Sequence, residues 1–304
     1  MEEMHAAMNT VATGSSIAHS VQGEGPPLLL VAGTGYPGAT WHLPEFLDEL
    51  ARHHTVITFD HRGTGDTPRV DEVFTTRSFA ADACALLRSL DLGPAHVVGH
   101  SMGGRVAQWM ALDAPDLVRS LVLAASGSGG MGNPDQPVGL PIGAMTAMIE
   151  QGYRGYMETH IEATFFTPEF AAAHPDRVHW LVDAFWEHRP TVQDYLRHVS
   201  ARQNHDASAR LGGITRPALV LVGDRDLRRG PTGSHVDQSM FLHANIPGAT
   251  LNLLAGLSHG MFWQAPDVAV EALAAWVRRV HGIDTPAGAT AVAGSNGRAV
   301  GTEQ

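Results

Sequence analysis

Residues 95–104 read AHVVGHSMGG, which places Ser101 between two glycines at the end of a short apolar run. The run is typical of a β-strand, and the residues from Met102 onward have the pattern of a helix. A sharp strand-to-helix turn would expose the serine hydroxyl, and the glycines at 99 and 103 would let strand and helix approach closely. Gly-x-Ser-x-Gly also occurs by chance in solvated turns. The sequence on either side of the motif must therefore show whether Ser101 lies at a strand-to-helix turn of this kind.

Apolar runs of strand length alternate with helical patterns on both sides of Ser101. These runs are continuously apolar, as required for a sheet that is covered on both faces. Strand–helix alternation predicts a parallel sheet with right-handed crossovers. Residues 15–23 are typical of an antiparallel edge strand. The predicted parallel strands are 27–33, 55–60, 95–100, 118–126, 217–224 and 249–256, and the predicted helices lie near 41–52, 76–91, 102–114 and 265–280.

The alternation stops between about 128 and 212, where a Gly/Pro-rich stretch precedes helical patterns that carry many aromatic residues. We interpret this segment as a helical insertion over the carboxyl ends of the strands, where open α/β sheets bind ligands. The predicted organisation is a flexible N-terminus (1–14), a core in two parts (15–127 and 213–283), the insertion (128–212) and a disordered tail (284–304).

Composition limits the classes of function. The chain has 304 residues, 44% of them hydrophobic, and a formal net charge of -11, with arginine supplying all 20 basic side chains. No dense basic surface can form, so we expect neither nucleic-acid nor membrane partners. The single cysteine, Cys84, excludes an internal disulfide and a cysteine metal cluster. The sequence shows neither a signal peptide nor a membrane span, which predicts a cytoplasmic protein; homo-oligomerisation stays open.

If Ser101 acts as a nucleophile, its hydroxyl needs a base that takes up the proton. The chain has 18 histidines, and we select the base by its position relative to Ser101. His259 follows the last predicted strand, at the same edge of the sheet as Ser101. The imidazole needs an orienting carboxylate, and the loop after strand 217–224 offers Asp224 and Asp226. Asp226, which lies beyond the strand end, is the better candidate, and Asp224 is interpreted as a turn former. The resulting order is Ser101, Asp226, His259, which is the order of α/β-hydrolases.

Attack of a serine on a carbonyl group produces an oxyanion, and two backbone N–H groups are expected to stabilise it. Met102, at the predicted helix start, supplies the first. The Gly-rich loop AGTGYPG (32–38) supplies the second, from Thr34 or from its neighbour Gly35. Neither a metal-ligand cluster nor a dinucleotide fingerprint is found, so no metal and no cofactor are predicted.

Five motifs carry a resemblance to the α/β-hydrolase superfamily over about residues 15–282: LLLVAGTGYPG, FDHRGTGDT, VVGHSMGG, LVLVGDRD and GLSHGMFWQAPD. The chain looks most like bacterial enol-lactonases, esterases and cofactor-free haloperoxidase-type perhydrolases. The resemblance implies a mostly parallel eight-stranded sheet with helices on both faces and a helical cap inserted after strand 6. It also implies Ser101 as nucleophile, His259 as base and Asp226 as its orienter. The sequence departs from the family at Ala32, where many members have histidine.

These observations favour a serine hydrolase that cleaves a small carboxylic ester or lactone through an acyl-enzyme. The alternatives are a C–C bond hydrolase or a perhydrolase with the same triad, and a non-catalytic ligand-binding member of the fold. The partner would be a small-molecule substrate. An apolar ester or lactone is expected because the candidate pocket residues are mostly apolar. These candidates are Gly35, Tyr36, Met261 and Phe262.

Overall fold

The computed structural model describes residues 9–13, 15–130, 142–227 and 233–282, in which eight strands form one sheet of order β1-β2-β4-β3-β5-β6-β7-β8. The predicted tail (284–304) and residues 1–8 of the predicted N-terminal segment lie outside the described residues. The strands are β1 Asn9–Thr13, β2 Ser15–Gln22, β3 Pro27–Val31, β4 Thr55–Phe59, β5 Ala95–His100, β6 Val118–Ala124, β7 Ala218–Gly223 and β8 Thr250–Leu254. The helices are α1 Pro44–Ala51, α2 Thr76–Leu90, α3 Met102–Asp113, α4 Ile142–Phe165, α5 Pro168–Ala173, α6 Pro175–Glu187, α7 Val192–Gln203, α8 His235–Asn245, α9 Met261–Gln264 and α10 Pro266–Val280.

The six strands from β3 to β8 are parallel to one another, and each sends alternate side chains into two separate cores. On β3, Leu28 and Leu30 pack with α1 and α10, whereas Leu29 and Val31 pack with α2, α3 and α8. Both faces of the strand are therefore buried, which explains why the strand sequences are continuously apolar. The prediction of a parallel sheet covered on both faces is confirmed.

The antiparallel side of the sheet differs from the sequence prediction. Residues 9–13 form β1, which pairs with β2, and β2 pairs in turn with β4. The predicted edge strand therefore lies inside the sheet, and β1 occupies part of the segment predicted as a flexible N-terminus. The segment NTVAT has few large apolar side chains, so its strand character depends on the hairpin partner rather than on a hydrophobic pattern.

Four helices, α4 to α7, lie between β6 and β7. They pack against α9 and against the 3₁₀ turn Gly38–Trp41, which follows β3, so they lie beside the loops at the carboxyl ends of β3 and β8. This is the location in which a helical insertion is predicted. α4 is broken at Gly152, where the backbone leaves the helical region with φ 73° and ψ 162°. None of the described helices, α4 included, has the length and apolar character needed to cross a membrane.

Candidate active site

Ser101 is the single residue between β5 and α3, and its backbone has φ 55° and ψ −117°, a conformation that L-amino acids rarely adopt. Such strain costs on the order of 1–3 kcal/mol and persists only where the surroundings enforce it. The Ser101 N–H donates to the Ala124 carbonyl at 2.8 Å, and the Ser101 carbonyl accepts from the Gly104 N–H at 3.1 Å and the Ser126 hydroxyl at 2.7 Å. The strained strand-to-helix turn predicted at Ser101 is present.

Glycines allow this turn because the backbones around it touch. A Cβ atom on Gly99 would clash with the carbonyl oxygen of Gly103, and one on Gly103 would clash with the carbonyl oxygen of Val31 on the neighbouring strand. A Cβ on Gly104 would lie 2.5 Å from the Ser126 side chain. The glycines flanking Ser101 are therefore required by packing rather than by a solvated turn.

Replacing Gly103 with alanine is expected to destabilise the fold by about 1–3 kcal/mol, because the new methyl group can be accommodated only if α3 moves away from β3. Urea unfolding of the purified variant measures this effect. The control is Gly155→Ala in α4, where a Cβ would meet only the Gln151 Cβ, at an ordinary 3.7 Å. Equal stability of the two variants would contradict the close approach of α3 and β3.

Asp226 and His259 form a buried pair at the carboxyl ends of β7 and β8. The His259 Nδ1 lies 2.7 Å from Asp226 Oδ2, and the two residues are 3% and 2% exposed. Because an ionised carboxylate only accepts hydrogen bonds, Nδ1 carries the donated proton, which leaves Nε2 of a neutral ring free to accept another. Burial opposes ionisation of Asp226, but the charge of His259 and hydrogen bonds from His235 and His259 hold its pKa below the usual value.

The structure separates the two aspartates that the sequence offers after β7. Asp224 is exposed, and its Oδ1 accepts a hydrogen bond from the Gly256 N–H at 2.8 Å, which ties the β7 loop to the β8 loop. Asp226 lies two residues further along the chain. Its N–H donates to the Gly223 carbonyl at 3.1 Å, and its side chain points inward to His259. Asp224 thus stabilises a turn, as predicted, and Asp226 is the residue paired with a histidine.

A second histidine, His235, contacts the same carboxylate. Its Nδ1 lies 3.0 Å from Asp226 Oδ1, and its ring centroid is 4.3 Å from that of His259. Burial lowers the pKa of His235 to about 4, so the ring is neutral at pH 7 and donates its Nδ1 proton to the carboxylate. His235 is not among the site residues predicted from the sequence. The only available signal was the capping pair Ser234 and Asp237, which marks His235 as the first residue of a helix.

His100 connects Ser101 to His259. It is buried, its Nε2 donates to the His259 carbonyl at 2.9 Å, and the two ring centroids are 4.7 Å apart. His259 therefore contacts the residue that directly precedes Ser101. Within the described residues no hydrogen bond joins the Ser101 hydroxyl to His259, and such contacts are often formed only when substrate is bound.

The loop after β3 lies directly against the serine. A Cβ on Gly33 would lie 3.4 Å from the Ser101 Cβ. Gly35 has φ 70°, and the Tyr36 N–H donates to the Gly33 carbonyl at 3.2 Å, which turns the loop sharply. Thr34, between them, is 7% exposed, and its hydroxyl has no hydrogen-bond partner among the residues that the structure describes. Thr34 thus lies in a loop that runs along the Ser101 side of the sheet.

The candidate pocket residues lie in two environments. A Cβ on Gly35 would lie 2.6 Å from the Tyr195 ring, and the Tyr36 ring stacks on that of Phe165 at 5.0 Å, so this part of the β3 loop contacts α4 and α7. Met261 and Phe262 are fully buried, and the Phe262 ring packs against aromatic rings of the core. These rings are Trp41, Phe46 and His100.

An open groove of about 730 Å³ lies beside Asp226, between the α4–α5 junction and the loops after β7 and β8. Thr164, Glu169, Arg225 and Asp226 are among its lining residues, and Ser101 is not. The groove therefore lies beside Asp226, whose side chain is 2% exposed, and its lining does not include the serine.

Comparison with known proteins identifies similar sequences. The profile of the alpha/beta hydrolase fold family matches residues 26–179. A protein of Pseudomonas syringae named as a carbamate hydrolase, RutD, is 33% identical over 238 residues, which cover 76% of this chain and 85% of that protein. A protein of Mycobacterium tuberculosis named as a non-heme bromoperoxidase, BpoC, is 44% identical over 111 residues, but these cover only 36% of this chain and 42% of that protein.

Solved structures give the same result at the level of the fold. The chain is similar to Est816, described as an enzyme that degrades N-acyl homoserine lactones, with a TM-score of 0.72 and 26% identity. The match covers 88% of this chain and 99% of Est816. The similarity thus extends over both parts of the core and the helices between them.

Proposed function

Because the chain belongs to the α/β-hydrolase family, we propose that it is a serine hydrolase that cleaves a small carboxylic ester or lactone through an acyl-enzyme. One observation carries the proposal: a buried Asp226–His259 pair with a 2.7 Å hydrogen bond contacts His100, the residue that directly precedes a strained Ser101. These three residues come from three separate loops. Nucleophilic catalysis by a serine needs a nucleophile, a base and an orienting carboxylate at one place, which would explain why these residues all follow strands at the same edge of the sheet.

In the proposed reaction the Ser101 hydroxyl oxygen attacks the substrate carbonyl carbon, and its proton passes to His259 Nε2. Asp226 keeps the His259 ring in the required tautomer and stabilises the imidazolium that forms. The tetrahedral intermediate collapses when the leaving alkoxide takes that proton. A water molecule then attacks the acyl-enzyme, with His259 again accepting the proton, which releases the carboxylic acid and restores the serine.

Negative charge on the carbonyl oxygen would be stabilised by the backbone N–H groups of Met102 and Thr34. Met102 is the first residue of α3, where unpaired N–H groups and the helix dipole favour an anion. The proximity of the Gly33 backbone to Ser101 brings the loop that holds Thr34 to the same place. Removal of one such donor typically costs about 10²–10³ in kcat.

The aromatic residues of the insertion support an apolar substrate. Tyr36 contacts the rings of Phe165 and Phe185, and Phe165 also lies 5.3 Å from the His259 ring. We therefore propose that α4–α7 act as a cap whose inner side holds the acyl or alkoxy part of the substrate. Lactones, named for Est816, and carbamates, named for RutD, both contain a carbonyl carbon that a serine hydroxyl could attack, which supports this chemistry.

Covalent labelling tests the nucleophile. A fluorophosphonate probe should modify Ser101 alone, with loss of fluoride and formation of a phosphonylated serine that mass spectrometry locates on a peptide containing residue 101. The reaction needs the serine, its base and the oxyanion donors together, so it should disappear in the folded Ser101→Ala variant. The control is Ser89→Ala, near the end of α2, where the hydroxyl donates to the Leu86 carbonyl. Labelling at another serine in the folded protein would assign the nucleophile elsewhere.

A substrate panel separates the alternatives that share the triad. Hydrolysis of p-nitrophenyl esters and lactones, with little cleavage of β-diketones or meta-cleavage-type products, would support the ester or lactone proposal. Preferential cleavage of the carbon–carbon bond would identify a C–C hydrolase, and peracid formation from hydrogen peroxide would identify a perhydrolase. A chain that binds such compounds without turning them over would be a ligand-binding member of the family.

A further inference from the structure

Asp226, His235 and His259 bring three potential metal ligands to one point. One carboxylate oxygen or imidazole nitrogen from each residue lies within 4.8 Å of the others. The two shortest pairs are 2.7 Å, from His259 Nδ1 to Asp226 Oδ2, and 3.0 Å, from His235 Nδ1 to Asp226 Oδ1. The three residues come from separate elements, so their spacing in the sequence carries no metal signature, and no metal site is predicted from it.

We propose that these three residues form an inhibitory binding site for a divalent transition-metal ion such as Zn²⁺. Two imidazoles and one carboxylate, with a position open to water, are a ligand set that suits this class of ion. At ordinary metal–ligand distances a tetrahedral site separates its ligand atoms by about 3.3 Å, so the His259–Asp226 pair must open by about 0.6 Å and the His235–Asp226 pair by about 0.3 Å. The two imidazole nitrogens, which lie within 4.8 Å of each other, must take up the same separation. His235 can make this movement because its side chain is 22% exposed.

Metal binding would inhibit hydrolysis because it changes which ring nitrogen of His259 carries the proton. In the metal-free pair the His259 Nδ1 proton is donated to Asp226 and Nε2 is free to accept the serine proton. A metal ion at Nδ1 needs that lone pair, so the ring proton moves to Nε2, and the same shift occurs in His235. Each ring keeps one proton, but His259 can no longer accept the proton of Ser101. Inhibition thus depends on the proposed function, whereas metal binding does not.

The surroundings of the site permit an ion to enter and limit its affinity. The His235 side chain is 22% exposed, and the groove that Asp226 lines also contains Glu169, whose negative charge attracts a cation. Arg225 also lines the groove, and Arg105 adds positive charge near His235. These two arginines oppose a cation, so we expect weaker binding than in structural zinc sites, where tight binding is coupled to folding.

Isothermal titration of the full-length chain with ZnCl₂ measures the binding. We expect one site per chain, with affinity reduced at least about tenfold in His235→Asn. Asparagine keeps an N–H for Asp226 and removes the imidazole, so the variant separates metal ligation from the hydrogen bond. The matched control is His179→Asn, on the exposed side of α6, which should bind Zn²⁺ as the natural sequence does. Thermal unfolding confirms that each variant is folded.

Ester hydrolysis is measured on the same proteins with ZnCl₂ and then with EDTA, each rate being expressed as a fraction of that variant's own metal-free rate. The natural sequence should be inhibited and recover with EDTA, and His235→Asn should require at least about tenfold more Zn²⁺. Equal binding or equal inhibition in His235→Asn, or no binding at millimolar Zn²⁺, would overturn the site. Titration of Ser101→Ala keeps the two proposals apart, since a His235-dependent site in that variant stands even if no ester is hydrolysed.

Discussion

Replacing Ser101 with alanine should lower kcat/KM for p-nitrophenyl esters by about 10⁴-fold or more, because the substitution removes the proposed nucleophile and leaves only binding and the oxyanion donors. The rest of the site should be unchanged. The hydrogen bonds that enforce the turn involve the backbone N–H and carbonyl of residue 101, and alanine keeps both. The backbone strain is the same for serine and alanine, so the free energy of unfolding should change by less than about 0.5 kcal/mol.

Steady-state kinetics with a chromogenic ester, together with urea unfolding, distinguishes loss of the nucleophile from loss of the fold. Ser89→Ala provides the same chemical change on α2 and should keep the natural rate. A Ser101→Ala variant that retained the natural rate would refute the nucleophile assignment. A variant that lost activity and more than about 2 kcal/mol of stability would indicate that the hydroxyl supports the fold, contrary to the observed hydrogen bonds.

The part of the site that could be predicted is the part whose residues follow strands directly. Ser101, Asp226 and His259 each come within a few residues of the carboxyl end of a strand, and parallel strands all end at the same edge of the sheet. Continuous apolar runs located those strand ends. The Asp226–His259 contact is therefore a consequence of topology, which explains why it could be inferred without coordinates.

His235 could not be found in this way. It is the first residue of α8, nine residues after Asp226 in the chain, and its contact with the carboxylate depends on how α8 is rotated on the sheet. Rotation is set by side-chain packing of the whole helix, which the local sequence does not encode. The break in α4 at Gly152 and the strand β1 were missed for a similar reason, because both depend on tertiary partners.

Acidification from pH 7.5 to pH 5 is expected to destabilise the protein by several kcal/mol, because buried histidines must take up protons on unfolding. His61 and His198 are both fully buried, and their rings pack against Phe79. Burial is the main cause that lowers the pKa of His61 to about 3 and that of His198 to about 4. The charged groups nearest to them are Arg62, which opposes protonation of both, and Asp194, which favours it in His198.

The sign follows from the difference between folded and unfolded states. An unfolded histidine has a pKa near 6.5, so between pH 6.5 and about 4 the unfolded chain binds protons that the folded chain excludes, and stability falls as the pH falls. By pH 5 each of the two histidines contributes a loss of about 2 kcal/mol. Asp60 acts in the opposite direction, since burial raises its pKa to about 6, and it offsets about 1 kcal/mol of this loss.

A single substitution tests this explanation. His198 Nε2 donates to the Arg62 carbonyl at 3.0 Å, and the amide of His198→Gln can keep that hydrogen bond without titrating. The difference in unfolding free energy between pH 7.5 and pH 5, measured by urea denaturation, should be smaller by about 2 kcal/mol in His198→Gln and unchanged in the exposed control His179→Gln. If His198→Gln and the natural sequence lost equal stability between these pH values, the buried His198 ring would not be a source of the acid sensitivity.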